Sequence, residues 1–187
     1  MRPSALLCLA ALCSSSACAQ TNALFFSFPN GNVYDGGAPL KVEVWASYVK
    51  PQYFAWALWS GAVNGDVSGE FSNPVLANWA PPPGTSPGIP GSGGVSSIVA
   101  GQLWFGNLFF PDTSNPIRLW SAEWSTDNLQ TRTVAITTWT TNYGLYNPNM
   151  TTATVIASEA SGLIQVVPAP AAFALSFVFA PFLRRHR

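Results

Sequence analysis

The sequence predicts an all-β domain, an antiparallel β-sandwich of Ig-like or jelly-roll-like type, flanked by two segments that serve export. Three observations carry this. Several stretches alternate apolar and polar residues at the period of a strand. Turn signals separate them, as in Asn30-Gly31, Asp35-Gly36-Gly37 and Asn64-Gly65-Asp66. Between Gln20 and Val167 no stretch keeps a helical period, and charged residues make up only 9% of the 187-residue chain, against ~25% in average soluble domains.

Residues 1–19 read as a secretory signal peptide. Arg2 supplies the positive start, Ala5 to Cys13 the apolar stretch, and Ala17 and Ala19 the small residues a signal peptidase inspects, leaving Gln20 as the first mature residue. All three cysteines (Cys8, Cys13 and Cys18) fall inside this segment. The mature chain therefore has no disulfide, thiol nucleophile or cysteine metal site. Its fold rests on a hydrophobic core, and ~150 residues bury one of adequate size.

The domain occupies 20–167. "LKVEVWASY" is the cleanest strand: Leu40, Val42, Val44, Ala46 and Tyr48 point one way, and Lys41, Glu43, Trp45 and Ser47 the other. "QYFAWALWSGAV" is apolar on both faces, as a central strand is. "AGQLWFG", "IRLWSAEWS", "RTVAITTWTT", "TTATVIAS" and "GLIQVV" follow, for roughly eight strands in all. One link breaks the rhythm. The stretch from Asn73 to Ser97 holds six Pro and five Gly, which predicts a long exposed loop over 73–98, partly polyproline-like.

The chain closes on 168–187. After Val167-Pro168-Ala169-Pro170 come thirteen nearly uninterrupted apolar residues, Ala171 to Leu183, then Arg184, Arg185, His186 and Arg187. As a helix 171–183 measures ~20 Å, short of the ~20 residues of a full span. Insertion is weakly favourable, and the arginines stay cytoplasmic and attract anionic lipid.

The order of that tail, together with the export signal, resembles a PEP-CTERM sorting signal. The family motif reads Pro-Glu-Pro, whereas Ala169 stands in the middle here. The resemblance implies processing by an exosortase-type enzyme after signal peptidase and a transient stay in inner-membrane lipid. It further implies delivery to the periplasm, cell surface or extracellular matrix, where such proteins are linked to exopolysaccharide and biofilm. It rests on Val167, Pro168, Ala169, Pro170, Arg184, Arg185 and Arg187 and transfers no activity to the domain.

The domain's own chemistry is sparse. It carries four basic residues against eight acids, a net −4, so nucleic-acid binding lacks its electrostatic footing. The one histidine, His186, lies in the tail, which removes Ser-His-Asp and Cys-His catalysis and the common zinc sites. "GTSPGIPGSGGVSS" is glycine-rich but has no lysine for a phosphate. "NGDVSGE" places Asp66, Ser68 and Glu70 at alternate positions, as a calcium loop begins, but the remaining ligands are missing. Glycoside hydrolysis needs two carboxyls within ~5–10 Å of each other. Glu43 and Glu123 lie on strands, with Glu70, Asp127 and Glu159 near turns, and nothing in their spacing pairs any two.

Three tryptophans on otherwise polar strand faces, Trp45, Trp104 and Trp139, are candidates for stacking on sugar rings; ordinary packing is the competing reading. Trp120, Ala122 and Trp124 share the opposite parity and point inward. The sequence thus predicts an exported, non-enzymatic surface or matrix protein with no cofactor and no metal. The alternative is a carbohydrate-binding module using Trp45, Trp104 and Trp139, and a glycoside hydrolase is the distant third.

Overall fold

The computed structural model describes residues 21–77, 84–105 and 108–168. The signal peptide with Ala17, Ala19 and Gln20, and the tail with Ala169, Pro170, Arg184, Arg185 and Arg187, lie outside the described residues. Those described form eleven strands and no helix: β1 (Ala23–Ser27), β2 (Val33–Tyr34), β3 (Leu40–Ser47), β4 (Ala55–Asn64), β5 (Glu70–Leu76), β6 (Ile89–Gly91), β7 (Gly94–Gly101), β8 (Ile117–Ser125), β9 (Arg132–Tyr146), β10 (Thr152–Thr154) and β11 (Ser161–Val166).

They build a two-sheet sandwich. The smaller sheet runs β1-β3-β8-β5 and the larger β2-β11-β9-β4-β7-β6, with β10 added beside β9. Every pairing of these strands is antiparallel except the short one between β2 and β11.

Alternation decides which residues meet between the sheets. From the smaller sheet come Leu40, Val42, Val44 and Ala46 of β3 with Trp120, Ala122 and Trp124 of β8; from the larger come Trp59, Val63, Val134, Ile136 and Ile164, all buried. The parity read for β3 and β8 holds residue by residue. Four tryptophans, Trp56, Trp59, Trp120 and Trp124, are the largest fully buried side chains. Truncating any one costs on the order of 3–5 kcal/mol. Two of their indole N–H groups are paired: Trp59 Nε1 donates to Thr140 Oγ1 (3.1 Å) and Trp120 Nε1 to the Pro87 carbonyl (2.8 Å).

The first part of β4 is apolar on both faces because both are covered there. Trp56 and Trp59 join the main core, while Ala55 and Ala57 pack with Tyr146, Phe54 and Trp104 in a second, smaller cluster. β4 lies between β9 and β7, and its Gly61 sits where the β9 pairing shifts register. A Cβ at Gly61 would stand 2.0 Å from the Trp139 carbonyl oxygen, so only glycine fits.

The structure departs from the sequence reading in several places. β1 and β2 precede the first strand read from sequence, and "TTATVIAS" pairs only over Thr152–Thr154, as β10. The proposed loop over 73–98 is only partly a loop: β5 runs to Leu76, β6 and β7 form a hairpin inside it, and 78–83 lie outside the described residues. Pro74 is accommodated where β5 slips register against β8, and Pro90 lies in the terminal strand β6. Proline is tolerated at bulges and edges because its missing N–H breaks no ladder there. "AGQLWFG" does not continue as a strand past Gly101, because Gln102 turns inward, and a long segment then crosses one end of the sandwich to Ile117.

Candidate functional site

The two ends of the sandwich differ in chemistry. At one end β9 begins at Arg132, opposite Val166 of β11. Here the Arg132 guanidinium gathers the turn read as a partial calcium loop: Nε lies 3.4 Å from Asp66 Oδ2, and Nη2 donates to Ser68 Oγ (2.8 Å) and Thr126 Oγ1 (3.1 Å). The Ser68 backbone N–H and hydroxyl hold Asp66 below the usual carboxylate range, with Arg132 adding to the effect. An arginine therefore stands at the cluster where a cation would be sought. Among the described residues no group of three His, Cys, Asp or Glu side chains converges to hold a metal ion.

Two further acids are tied into the fold. Glu159 sits where β11 has not yet joined β9 and accepts from Thr138 Oγ1 (2.6 Å) and from the Thr140 N–H (2.7 Å). Glu43 is buried although it lies on the outward parity of β3. It accepts from Lys41 Nζ (3.1 Å), Arg118 Nη1 (3.2 Å) and Trp45 Nε1 (3.0 Å). Burial alone would raise its pKa; the hydrogen bonds from Lys41, Trp45 and Arg118 outweigh that and hold it below the ordinary value. Glu123, the other strand acid, pairs directly with Lys41 on the ladder and accepts from Asn73 Nδ2 (2.7 Å). Glu43 and Glu123 are thus diagonal neighbours, but the Glu43 carboxylate is buried and taken up by Lys41, Arg118 and Trp45.

The three candidate tryptophans lie on three different surfaces. Trp45 is half-buried on the outside of the smaller sheet, pinned by Glu43, beside a shallow depression of about 340 Å³ that it lines with Asp112, Pro116 and Arg118. Trp139 stands 66% exposed on the outside of the larger sheet, in line with exposed Thr133, Thr137 and Thr141. The outward residues of β9 and β11 are all uncharged. Trp104 is half-buried at the end of the sandwich, stacked on Phe54 (centroids 5.0 Å apart) and edge-on to Tyr146 (5.4 Å).

That second end is the most distinctive surface of the molecule. Gln102, itself buried, organises it. Its side chain donates to the Asp112 carbonyl (3.0 Å) and to the Trp56 carbonyl, and accepts from the Asp112 N–H (2.9 Å). Tyr146 Oη donates to the Gln102 carbonyl (2.9 Å). Tyr48 Oη donates to the Thr113 carbonyl (2.8 Å), and Asn115 pairs with both backbone groups of Tyr48. Burial, then the Asp112 charge, pushes the Tyr48 hydroxyl up to about 12. The segment from Gln102 to Pro116 is thereby clamped at both feet. Beside it lies a hollow of about 400 Å³ lined by Lys50, Pro51, Tyr53, Phe54, Thr113 and Pro148. Sequence reading missed this end, although the signal was present in the crowding of "LWFGNLFF" without a charge.

Neither a family model nor a curated protein matches the chain. Among solved structures it is similar to a cohesin module from a family 33 glycoside hydrolase of Clostridium perfringens ATCC13124, with a TM-score of 0.53 at 7% identity, covering 80% of this chain and 98% of that one. It is also similar to the seventh ScaB type I cohesin of Pseudobacteroides cellulosolvens, with a TM-score of 0.50 at 12% identity, covering 88% of this chain and 99% of that one. At such identities the likeness is one of fold: a cohesin-like β-sandwich.

Proposed function

We propose that this chain is an exported, non-catalytic binding module, delivered to the cell surface or extracellular matrix through a PEP-CTERM-like C-terminal signal. One observation carries the reading. The last described strand ends where the Val167–Pro170 motif begins. β11 ends at Val166, the Val167 N–H donates to the Tyr34 carbonyl (2.9 Å), and Pro168 is exposed. A last described strand that stops at this boundary supports the reading of the following residues as a segment for an exosortase-type enzyme and inner-membrane lipid. The cohesin-like fold supports the binding role by analogy. The tying of Glu43, Asp66 and Glu159 into internal contacts speaks against hydrolysis.

C-terminal mass spectrometry of the exported form tests the sorting reading. Loss of the residues beyond the Val167–Pro170 motif is expected, and an intact Arg187 on exported protein overturns it. Arg184→Glu with Arg185→Glu should reduce membrane retention before processing.

A second reading, carbohydrate recognition, is favoured by Trp139, whose indole projects from an uncharged, threonine-lined sheet face. Polysaccharide pull-down that disappears in Trp139→Ala but persists in Trp104→Ala would support a single-tryptophan platform, since the three indoles share no surface. No retention on any polysaccharide leaves the protein-binding reading.

A further inference from the structure

We infer that β10 is a strand-addition site whose occupant is a second copy of this chain, the two β10 strands pairing antiparallel about a two-fold axis at Thr154. The backbone shows which groups are open. The Asn147 N–H donates to the Thr151 carbonyl and the Val155 N–H to the Tyr143 carbonyl, each at 3.0 Å. Between them the register runs Thr152↔Tyr146, Ala153↔Leu145 and Thr154↔Gly144. Bonded pairs recur at every second residue of an antiparallel ladder. Thr151, Ala153 and Val155 therefore bond towards β9, and the N–H and C=O of Thr152, Thr154 and Ile156 point away from it. Ser158 continues that outward series, and β1 takes both its groups: the N–H donates to the Asn22 carbonyl (3.0 Å) and the carbonyl accepts from the Leu24 N–H (2.9 Å). Among the described residues nothing takes the backbone groups of the three positions before it.

An open edge is a template for another chain unless it is very short, charged, bulged or interrupted by proline. The other edges among the described strands have such a guard or a partner. β1 bonds to Ser158, β5 begins at Glu70 and has Pro74 at its register slip, β6 contains Pro90, and β2 is two residues long. From Thr151 to Ile156 the sequence has no charge, proline or glycine.

Two observations select a second copy. The open groups are self-complementary: about a two-fold axis at Thr154, Thr152 meets the partner's Ile156 and Thr154 meets the partner's Thr154, so every open N–H finds an open C=O. On the outer face this sets threonine against threonine and brings Ile156, 95% exposed, beside a second β-branched side chain, pairs that stabilise neighbouring strands. The second observation is charge. The body carries four basic residues against eight acids, so two copies repel, yet the paired stretch is neutral. The next acid along the chain, Glu159, is held by Thr138 and Thr140.

The test uses the chain from Gln20 to Arg187, which contains no cysteine, in a mild detergent with a short bis-maleimide as cross-linker. Thr154→Cys should link to itself. Thr152→Cys and Ile156→Cys should link when mixed but neither alone, because like positions then stand four residues apart along the strand, about 13 Å. Adding Thr154→Pro to the mixed pair removes the two central hydrogen bonds and should slow linking at least about tenfold. In the unsubstituted chain the amides of Thr152, Thr154 and Ile156 should exchange more slowly as protein concentration rises, by at least about tenfold once the dimer forms. Self-linking of Thr152→Cys, which needs another register, overturns the inference. So does equal linking at all three positions, which reports clustering through the tail, and so does exchange of those amides that ignores concentration, because β10 then takes no second copy.

Discussion

Replacing Glu43 isolates the one buried charge of the smaller sheet. In the native fold its carboxylate accepts from Lys41, Arg118 and Trp45 at 3.0–3.2 Å. Glu43→Ala leaves two cations facing each other and an indole N–H without its acceptor. Removing one partner from a fully buried ion pair costs ~3–5 kcal/mol. Here the Lys41 and Arg118 side chains are 42% and 37% exposed, so water compensates for much of the loss. The expected cost is about 1–2 kcal/mol, or roughly 3–8 °C in Tm for a domain of this size. Glu43→Gln keeps the shape and loses the charge, for about 1 kcal/mol.

The pH dependence is sharper than the magnitude. Because the folded-state pKa of Glu43 lies below its unfolded value, its contribution is fully present above the ordinary carboxylate pKa of ~4.3 and is lost as pH falls through the lowered value. Urea unfolding followed by tryptophan fluorescence should show wild type and Glu43→Gln separated at neutral pH, with the gap closing as pH falls below the ordinary carboxylate range. A gap of constant size across that range, or no gap at neutral pH, would refute the assignment of a stabilising charge to Glu43.

Four more substitutions probe the rest of the molecule. Gly61→Ala drives a Cβ to 2.0 Å from the Trp139 carbonyl oxygen and should cost at least about 3 kcal/mol. Gly31→Ala, at φ +86 with open space around it, should cost about 1 kcal/mol; equal denaturation midpoints for the two would contradict the close β4–β9 approach. Gln102→Leu strands the Asp112 N–H and carbonyl and should cost about 2–4 kcal/mol, with faster amide exchange across 102–116 by mass spectrometry. Unchanged exchange at Asp112 would show that Gln102 is not the clamp. Trp139→Ala, on an open face, should leave stability within about 0.5 kcal/mol, so that any loss of polysaccharide retention reports binding rather than unfolding; a large stability loss would mean the indole packs rather than projects.

The facing of β3 and β8 was legible because a strand's side chains alternate with a period set by the backbone itself. Leu40 to Ala46 and Trp120 to Trp124 needed no tertiary information. The central position of β4 was legible for a related reason: a strand covered on both sides leaves no polar parity. The Asn73–Ser97 stretch misled because proline and glycine report what a backbone resists, and edge pairing with a bulge lifts that resistance. β6 exists through its pairing with β7, a partner local composition does not reveal.

The candidate site was less legible, since side-chain partners come from distant parts of the chain. Glu43 alternates onto the outer face by local rule, yet Arg118, brought alongside by the β3–β8 ladder, makes it a buried ion-paired acid. Trp104 reads as one more outward strand residue until Gln102 turns in and the chain leaves the sheet, placing the indole on Phe54. By itself the sequence determined that this is an all-β body with no thiol or histidine chemistry, because periodicity and composition are local quantities. The tertiary structure alone decided that Trp139 stays exposed while Trp104 packs on Phe54, and which acids are ion-paired, because each depends on contacts between residues tens of positions apart.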